Sequence, residues 1–187
     1  MNATTEQPVN QTAAQYEAAA AACRHIFTAK AKDYGTSWRI LRMPSITDQI
    51  FIKAQRIRTI DLKGTSMVNE GAEAEFIGVV NYAVIGLIQL QLQDDSGREI
   101  SAEEAGRLFD QKIREARQLM ERKNHDYGEA WRDMQVSSFT DLILMRILRI
   151  KQIEENQGQT LMSEGIDANL FDIINYAIFA LIKISEA

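Results

Sequence analysis

The chain has 187 residues, 45% of them apolar, and carries a formal charge of −5 with an isoelectric point near 5.2. That length can bury a substantial core, and the acidic balance argues against a protein that grips a nucleic-acid backbone through a basic face. The single cysteine, Cys23, excludes an internal disulfide and has no Cys or His at ligand spacing, so it reads as a small packed hydrophobe.

Residues 1–10 are polar, include Pro8, and lack the basic start and apolar middle of a signal peptide. They are expected to form a flexible leader. No apolar run is expected to reach the roughly 20 residues that span a bilayer, so the protein reads as cytoplasmic, without a membrane partner. From Gln11 the residues Tyr16, Ala20, Cys23, Ile26 and Phe27 fall on one stripe of a 3.6-residue period. This helix closes with Lys30 and Lys32 ahead of Asp33-Tyr34-Gly35.

A short connector with Trp38 leads to Ser45-x-x-Asp48, a helix-start signal. The helix it opens directs Ile50, Phe51, Ala54 and Ile57 inward and sets Lys53 and Arg56 on a neighbouring face. After Gly64, a last helix beginning near Asn69 runs apolar on nearly all sides through Val79 to Ile85. Such a helix is expected to be buried on most sides.

The polar stretch 94–100 then reads as a linker, because the same order of residues starts again. Ser101-x-x-Glu104 is a capping box, and Phe109, Ile113, Ala116, Leu119 and Met120 make the new stripe. Asp126-Tyr127-Gly128, Trp131, Ser138-x-x-Asp141, Arg146 and Arg149 lie 93 positions after their counterparts, and Glu164, Asn175 and Tyr176 lie 94 after Glu70, Asn81 and Tyr82. In the second copy Leu142, Met145, Leu148 and Ile150 are expected to face the core, and the last helix is expected to begin near Ser163. The chain is therefore read as two copies of one unit, 11–93 and 101–187.

Candidate chemistry sits at the repeated polar positions. Glu70, Glu73 and Asn81 fall along one face of the last helix, and Glu164, Asp167 and Asn175 repeat them. Paired carboxylates on a helix face suit a hard cation such as Mg²⁺, with Asp33 and Asp126 as further ligands. The same acids, in a first helical turn, also serve simply to complement the helix dipole. Lys53, Arg56, Arg146 and Arg149 suit phosphate, or alternatively pair with acids of the adjacent helix. Tyr34 and Tyr127, with the two tryptophans, suit stacking on a base or lidding a small core. Asn81 and Asn175, inside apolar runs, need partners from a ligand or from an interior network.

Lys-x-x-Asp-Tyr-Gly (Lys30 to Gly35, Lys123 to Gly128), then Lys/Arg-x-x-Arg, then Asp172-x-x-Asn175-Tyr176-Ala177 resembles the bacterial and phage family called nucleotide modification associated domain 1. Both halves carry the resemblance, which covers almost everything after the leader. That family in turn looks like a relative of the all-α, MazG-like nucleoside triphosphate pyrophosphohydrolases. The resemblance implies a helical bundle in which acids hold Mg²⁺ and water attacks a nucleoside triphosphate. It also aligns the enzymes' Glu-x-x-Asp with Glu75-x-x-Gly78 in one half and Asn169-x-x-Asp172 in the other, which adds Asp172 to the metal candidates. Each half keeps one acid, so the site is either lost, shared between the halves, or built from Glu70, Glu73, Glu164 and Asp167.

The expectation is an all-α protein of two tandem pseudo-symmetric helical repeats forming one bundle, the fused halves standing in for a homodimer. Its expected function is nucleotide binding, with magnesium-dependent pyrophosphohydrolysis as the catalytic version. The alternative is a non-catalytic helical module that binds a protein partner. Association of whole chains into a homo-oligomer is left open.

Overall fold

The computed structural model describes residues 7–64, 71–93, 98–161 and 164–187. Among them it contains six α-helices and two short 3₁₀ turns, and no strand. Helices α1 (Gln7–Tyr34), α2 (Met43–Lys63) and α3 (Ala72–Gln91) form the first repeat, and α4 (Ala102–Tyr127), α5 (Val136–Glu155) and α6 (Ile166–Glu186) form the second. The 3₁₀ turns, Ser37–Ile40 and Ala130–Asp133, occupy the same place in each. Helix α1 begins within the segment expected to be a leader, four residues ahead of Gln11.

Helices α3 and α6 lie against each other at the centre. On one side they carry the pair α2 and α5, and on the other the pair α1 and α4. Exchanging the repeats maps this pattern of neighbours onto itself: α2 packs on α3 as α5 packs on α6, and both α1 and α4 touch both central helices. Two copies of a three-helix unit each leave an apolar face open, and facing the copies closes both.

The sequence explains the central placement. Nearly every residue from Phe76 to Ile88 and from Asn169 to Ile182 is buried. At 20 and 21 residues, α3 and α6 are in fact long and apolar enough, by length and composition, to cross a bilayer. That departs from the expectation, but 61% and 67% of those windows are buried inside the bundle. A helix that is apolar on all sides is satisfied equally by protein neighbours.

Asp-Tyr-Gly turns out to be a helix stop. Helices α1 and α4 end on Tyr34 and Tyr127, and the following Gly35 and Gly128 have φ of 73° and 62°, a region that residues with a Cβ rarely occupy. The chain then folds through the 3₁₀ turn, whose carbonyls are taken by the end of the last helix. Gln89 Nε2 donates to the carbonyls of Arg39 (2.9 Å) and Leu41 (2.7 Å), and Lys183, its counterpart, donates to the carbonyl of Arg132.

Some helix starts differ from the expected ones. Ser45 and Ser138 do not cap α2 and α5, because their amides already donate to the carbonyls of Arg42 (3.0 Å) and Gln135 (3.1 Å), inside helices that begin two residues earlier. Pro44, which needs no amide partner, fits that first turn. Ser101 does cap α4, accepting from the Glu104 amide at 3.1 Å. The carboxylate of Glu104 turns to Arg107 rather than back to the cap. Helices α3 and α6 start at Ala72 and Ile166; Asn69 and Ser163 lie outside the described residues.

The core of α5 is Ile143, Leu144, Ile147 and Ile150, while Met145 and Leu148 are exposed. Apolar residues lie around most of this helix, so spacing alone selects no single stripe.

Candidate functional site

The two repeats place equivalent side chains in equivalent positions, and their differences make the site. In the first repeat a cavity of about 710 Å³ opens between α1, the Ser37–Ile40 turn, α2 and α3. Its walls include Tyr34, Trp38, Lys53, Glu75, Gly78, Asn81 and Tyr82, with Ile26, Lys30 and Ile40 also contributing. That size lies within the usual range for a small-molecule site.

Glu75 is buried on α3 and meets two cations of α2. It accepts from Arg56 in a close ion pair, and Lys53 Nζ stands 3.5 Å from its other oxygen. The Lys53 ammonium also lies 5.8 Å from the centre of the Tyr82 ring. Gly78 makes this course of Lys53 possible: a Cβ at position 78 would lie 2.7 Å from Lys53 Cε. Burial holds the Tyr82 phenol above its usual range, with a smaller contribution from Tyr34.

In the second repeat the corresponding space is filled. Phe179 stands where the first repeat has Ile85, and Trp131, counterpart of Trp38, lies stacked on it with centroids 4.3 Å apart. Asp172 stands where the first repeat has Gly78, and its carboxylate takes Lys123 at 2.6 Å and Arg146 at 2.7 Å. The Arg146 contact is close enough to pair but is not aligned as a hydrogen bond to that oxygen. Arg146 also donates to Asn169 Oδ1 at 3.2 Å. Lys123 is the counterpart of Lys30, so the lysine beside the first cavity is drawn into an ion pair in the second repeat.

The central asparagines show a related asymmetry. Asn175 donates to the Ala116 carbonyl (3.0 Å) and accepts from the buried Tyr16 hydroxyl (2.8 Å). Asn81 donates to the Cys23 carbonyl (3.2 Å), the equivalent contact, but its Oδ1 has no partner among the described residues. The counterpart of Tyr16 is Phe109, which has no hydroxyl to offer.

The expected metal ligands do not gather. Glu73, Glu164, Asp167, Asp33 and Asp126 are exposed, Asp172 and Glu75 are held by cations of their own repeats, and Glu70 lies outside the described residues. Among the described residues no three His, Cys, Asp or Glu side chains come within reach of one ion. The described acids of this set do not converge on one point, whereas the oxygen ligands of Mg²⁺ stand at about 2.1 Å from the ion.

Of the expected substrate residues, Tyr34, Lys53 and Asn81 line the cavity, and Arg56 stands behind Glu75. Arg146 and Asn175 lie in interior networks of the second repeat, while Arg149 and Tyr127 are exposed. Lys30, Gly78, Tyr82 and Ile85 were not picked out as site residues, yet they line the cavity. Aligning the repeats position by position and marking where a small residue faces a large one would have found Gly78 and Ile85.

The profile of the family described as nucleotide modification associated domain 1 matches residues 30–90 and 123–184, more than half of the chain. The chain belongs to that family. Each match falls within one structural repeat, from the end of its first helix onward, and the first spans most of the cavity, from Lys30 through the turn and α2 into α3. No curated protein and no solved structure matches the chain.

Proposed function

We propose that this protein binds a nucleotide in the cavity of its first repeat, and that the second repeat is a filled copy that supports the bundle. The observation that carries the reading is the cavity's composition. Aromatic side chains Tyr34, Trp38 and Tyr82 line a space of about 710 Å³ together with a half-buried lysine, Lys53, which lies 5.8 Å from the Tyr82 ring centre. Flat apolar walls suit a base, and an ammonium suits a phosphate. The family's description, which concerns nucleotide modification, points the same way.

Hydrolysis with magnesium, the catalytic version that the MazG-like resemblance implies, draws less support from this geometry. Glu75, the one acid in the cavity lining, is already paired with Arg56 and Lys53, so binding is the activity we assign. The second repeat fits the alternative of a non-catalytic scaffold, because Asp172, Arg146 and Lys123 satisfy one another where a ligand would have to enter. In this reading the protein is cytoplasmic.

The test is a thermal-shift screen of the chelator-treated protein against nucleosides and nucleoside mono-, di- and triphosphates, with and without Mg²⁺. A ligand that binds only the folded state raises the apparent melting temperature by mass action. A saturable rise with nucleotides, lost in Lys53→Met, is the expected result. The absence of any shift at millimolar concentrations removes the nucleotide reading. A shift that demands Mg²⁺, followed by pyrophosphate release, would restore the catalytic version.

A further inference from the structure

We infer that the cavity is built for a single phosphate group, so that its ligand is a nucleoside monophosphate held through Lys53; this rests on the nucleotide reading above. The charges around the cavity decide between one phosphate and three. Two lysines, Lys30 and Lys53, line it against one carboxylate, Glu75. Arg56 is not part of the lining and is engaged by the opposite oxygen of Glu75.

A polyphosphate chain carries more negative charge than two lysines offset. Arg56 already offsets Glu75, so Lys30 and Lys53 are the charges left for a ligand, and burying phosphate charge that they do not neutralise is costly. The usual remedy is a metal ion held by one or two carboxylates, and Glu75, the one carboxylate in the lining, is already paired with Arg56 and Lys53. One phosphate needs no such ion.

Lys53 is placed for that role. Its ammonium is 3.5 Å from Glu75, a long contact beside the close pair that Glu75 makes with Arg56. Glu75 therefore keeps a full counter-charge when Lys53 turns to a ligand. The side chain crosses position 78, where a Cβ would lie 2.7 Å from its Cε, and in the second repeat Asp172 at that position clamps the corresponding Arg146 instead. Gly78 is thus a positioning residue that fixes which side of α3 the ammonium occupies.

The test uses the full chain, with calorimetric titration of nucleosides, monophosphates and triphosphates in chelator and again in Mg²⁺, on wild type, Gly78→Ala and Lys53→Met. Monophosphates are expected to bind tightest and without Mg²⁺. Lys53→Met is expected to weaken them about tenfold or more, the scale of one charge-assisted hydrogen bond, and to leave nucleoside affinity unchanged. Gly78→Ala is expected to produce the same selective loss, because its Cβ would displace only the flexible end of Lys53. Its helical circular dichroism and unfolding midpoint are expected to stay at or above wild type, since alanine favours the helix. Tighter binding of triphosphates overturns the monophosphate inference and leaves the nucleotide reading intact. Binding of no nucleotide at all overturns both, and equal loss of nucleoside and monophosphate affinity in Gly78→Ala removes the role given to Lys53.

Discussion

Trp131 lies flat on Phe179, with ring planes 6° from parallel, and this stack occupies in the second repeat the space that the first repeat leaves open between Trp38 and Ile85. Phe179 for Ile85 and Asp172 for Gly78, both on a central helix, therefore separate a packed core from a cavity. The Arg132 guanidinium covers the outer side, 4.4 Å from the Trp131 ring.

Reopening the second copy is the direct check. In a Trp38→Phe background, which leaves Trp131 as the sole tryptophan, the pair Asp172→Gly and Phe179→Ile is expected to expose Trp131 to acrylamide quenching. The Phe179 change alone is expected to cost roughly 1–3 kcal/mol, the usual range for trimming a buried large side chain. Unchanged quenching in a folded double variant would show that something other than this plug closes the site. Wild type is expected to bind one ligand per chain.

The unpartnered Asn81 oxygen predicts a stabilising substitution. Phe109→Tyr supplies the hydroxyl that Tyr16 provides to Asn175, and is expected to raise stability by about 1 kcal/mol. The reverse change, Tyr16→Phe, is expected to cost about 1–2 kcal/mol by leaving Asn175 as Asn81 now is. Urea unfolding of the two variants checks both, and equal effects of the same sign would refute the pairing.

The two acid–base clusters are expected to differ in their tolerance of mutation. Arg146→Met leaves buried Asp172 with Lys123 alone and takes the donor from buried Asn169 Oδ1, and should cost roughly 1–3 kcal/mol. Lys53→Met leaves Glu75 with Arg56, and should cost below about 1 kcal/mol. A chemical denaturation series on both single variants would reveal the difference. Comparable losses would mean that Lys53 is structural after all.

Alkaline conditions provide another test. Burial pushes the Cys23 thiol from 9.0 up to about 12 and raises the Tyr16 phenol as well. Above pH 9 the unfolded thiol loses its proton while the folded one keeps it, so stability falls as pH rises from about 9 towards 12 and is unaffected below. Cys23→Ala, the residue found at the equivalent Ala116, is expected to flatten part of that decline in urea midpoints measured between pH 7 and 10.5.

The sequence by itself determined the architecture: the repeated Asp-Tyr-Gly and the offsets of 93 and 94 positions gave two units, and the all-apolar last helices gave their central place. Both are local or periodic properties, and periodicity is written directly in the chain. It also brought forward Tyr34, Lys53 and Asn81, because polar and aromatic residues inside repeats stand out against their surroundings. Only the tertiary structure decided which half is open. The equivalence of the repeats hid it, since Lys53 and Arg146 read alike until Gly78 and Asp172 are seen across from them. The expected metal acids met the same limit, because a helical stripe fixes a direction along one helix and leaves unsaid which cations the neighbouring helix brings to it. Glu75 and Asp172 are buried beside lysine and arginine, and that packing, a property of two helices at once, decides their chemistry.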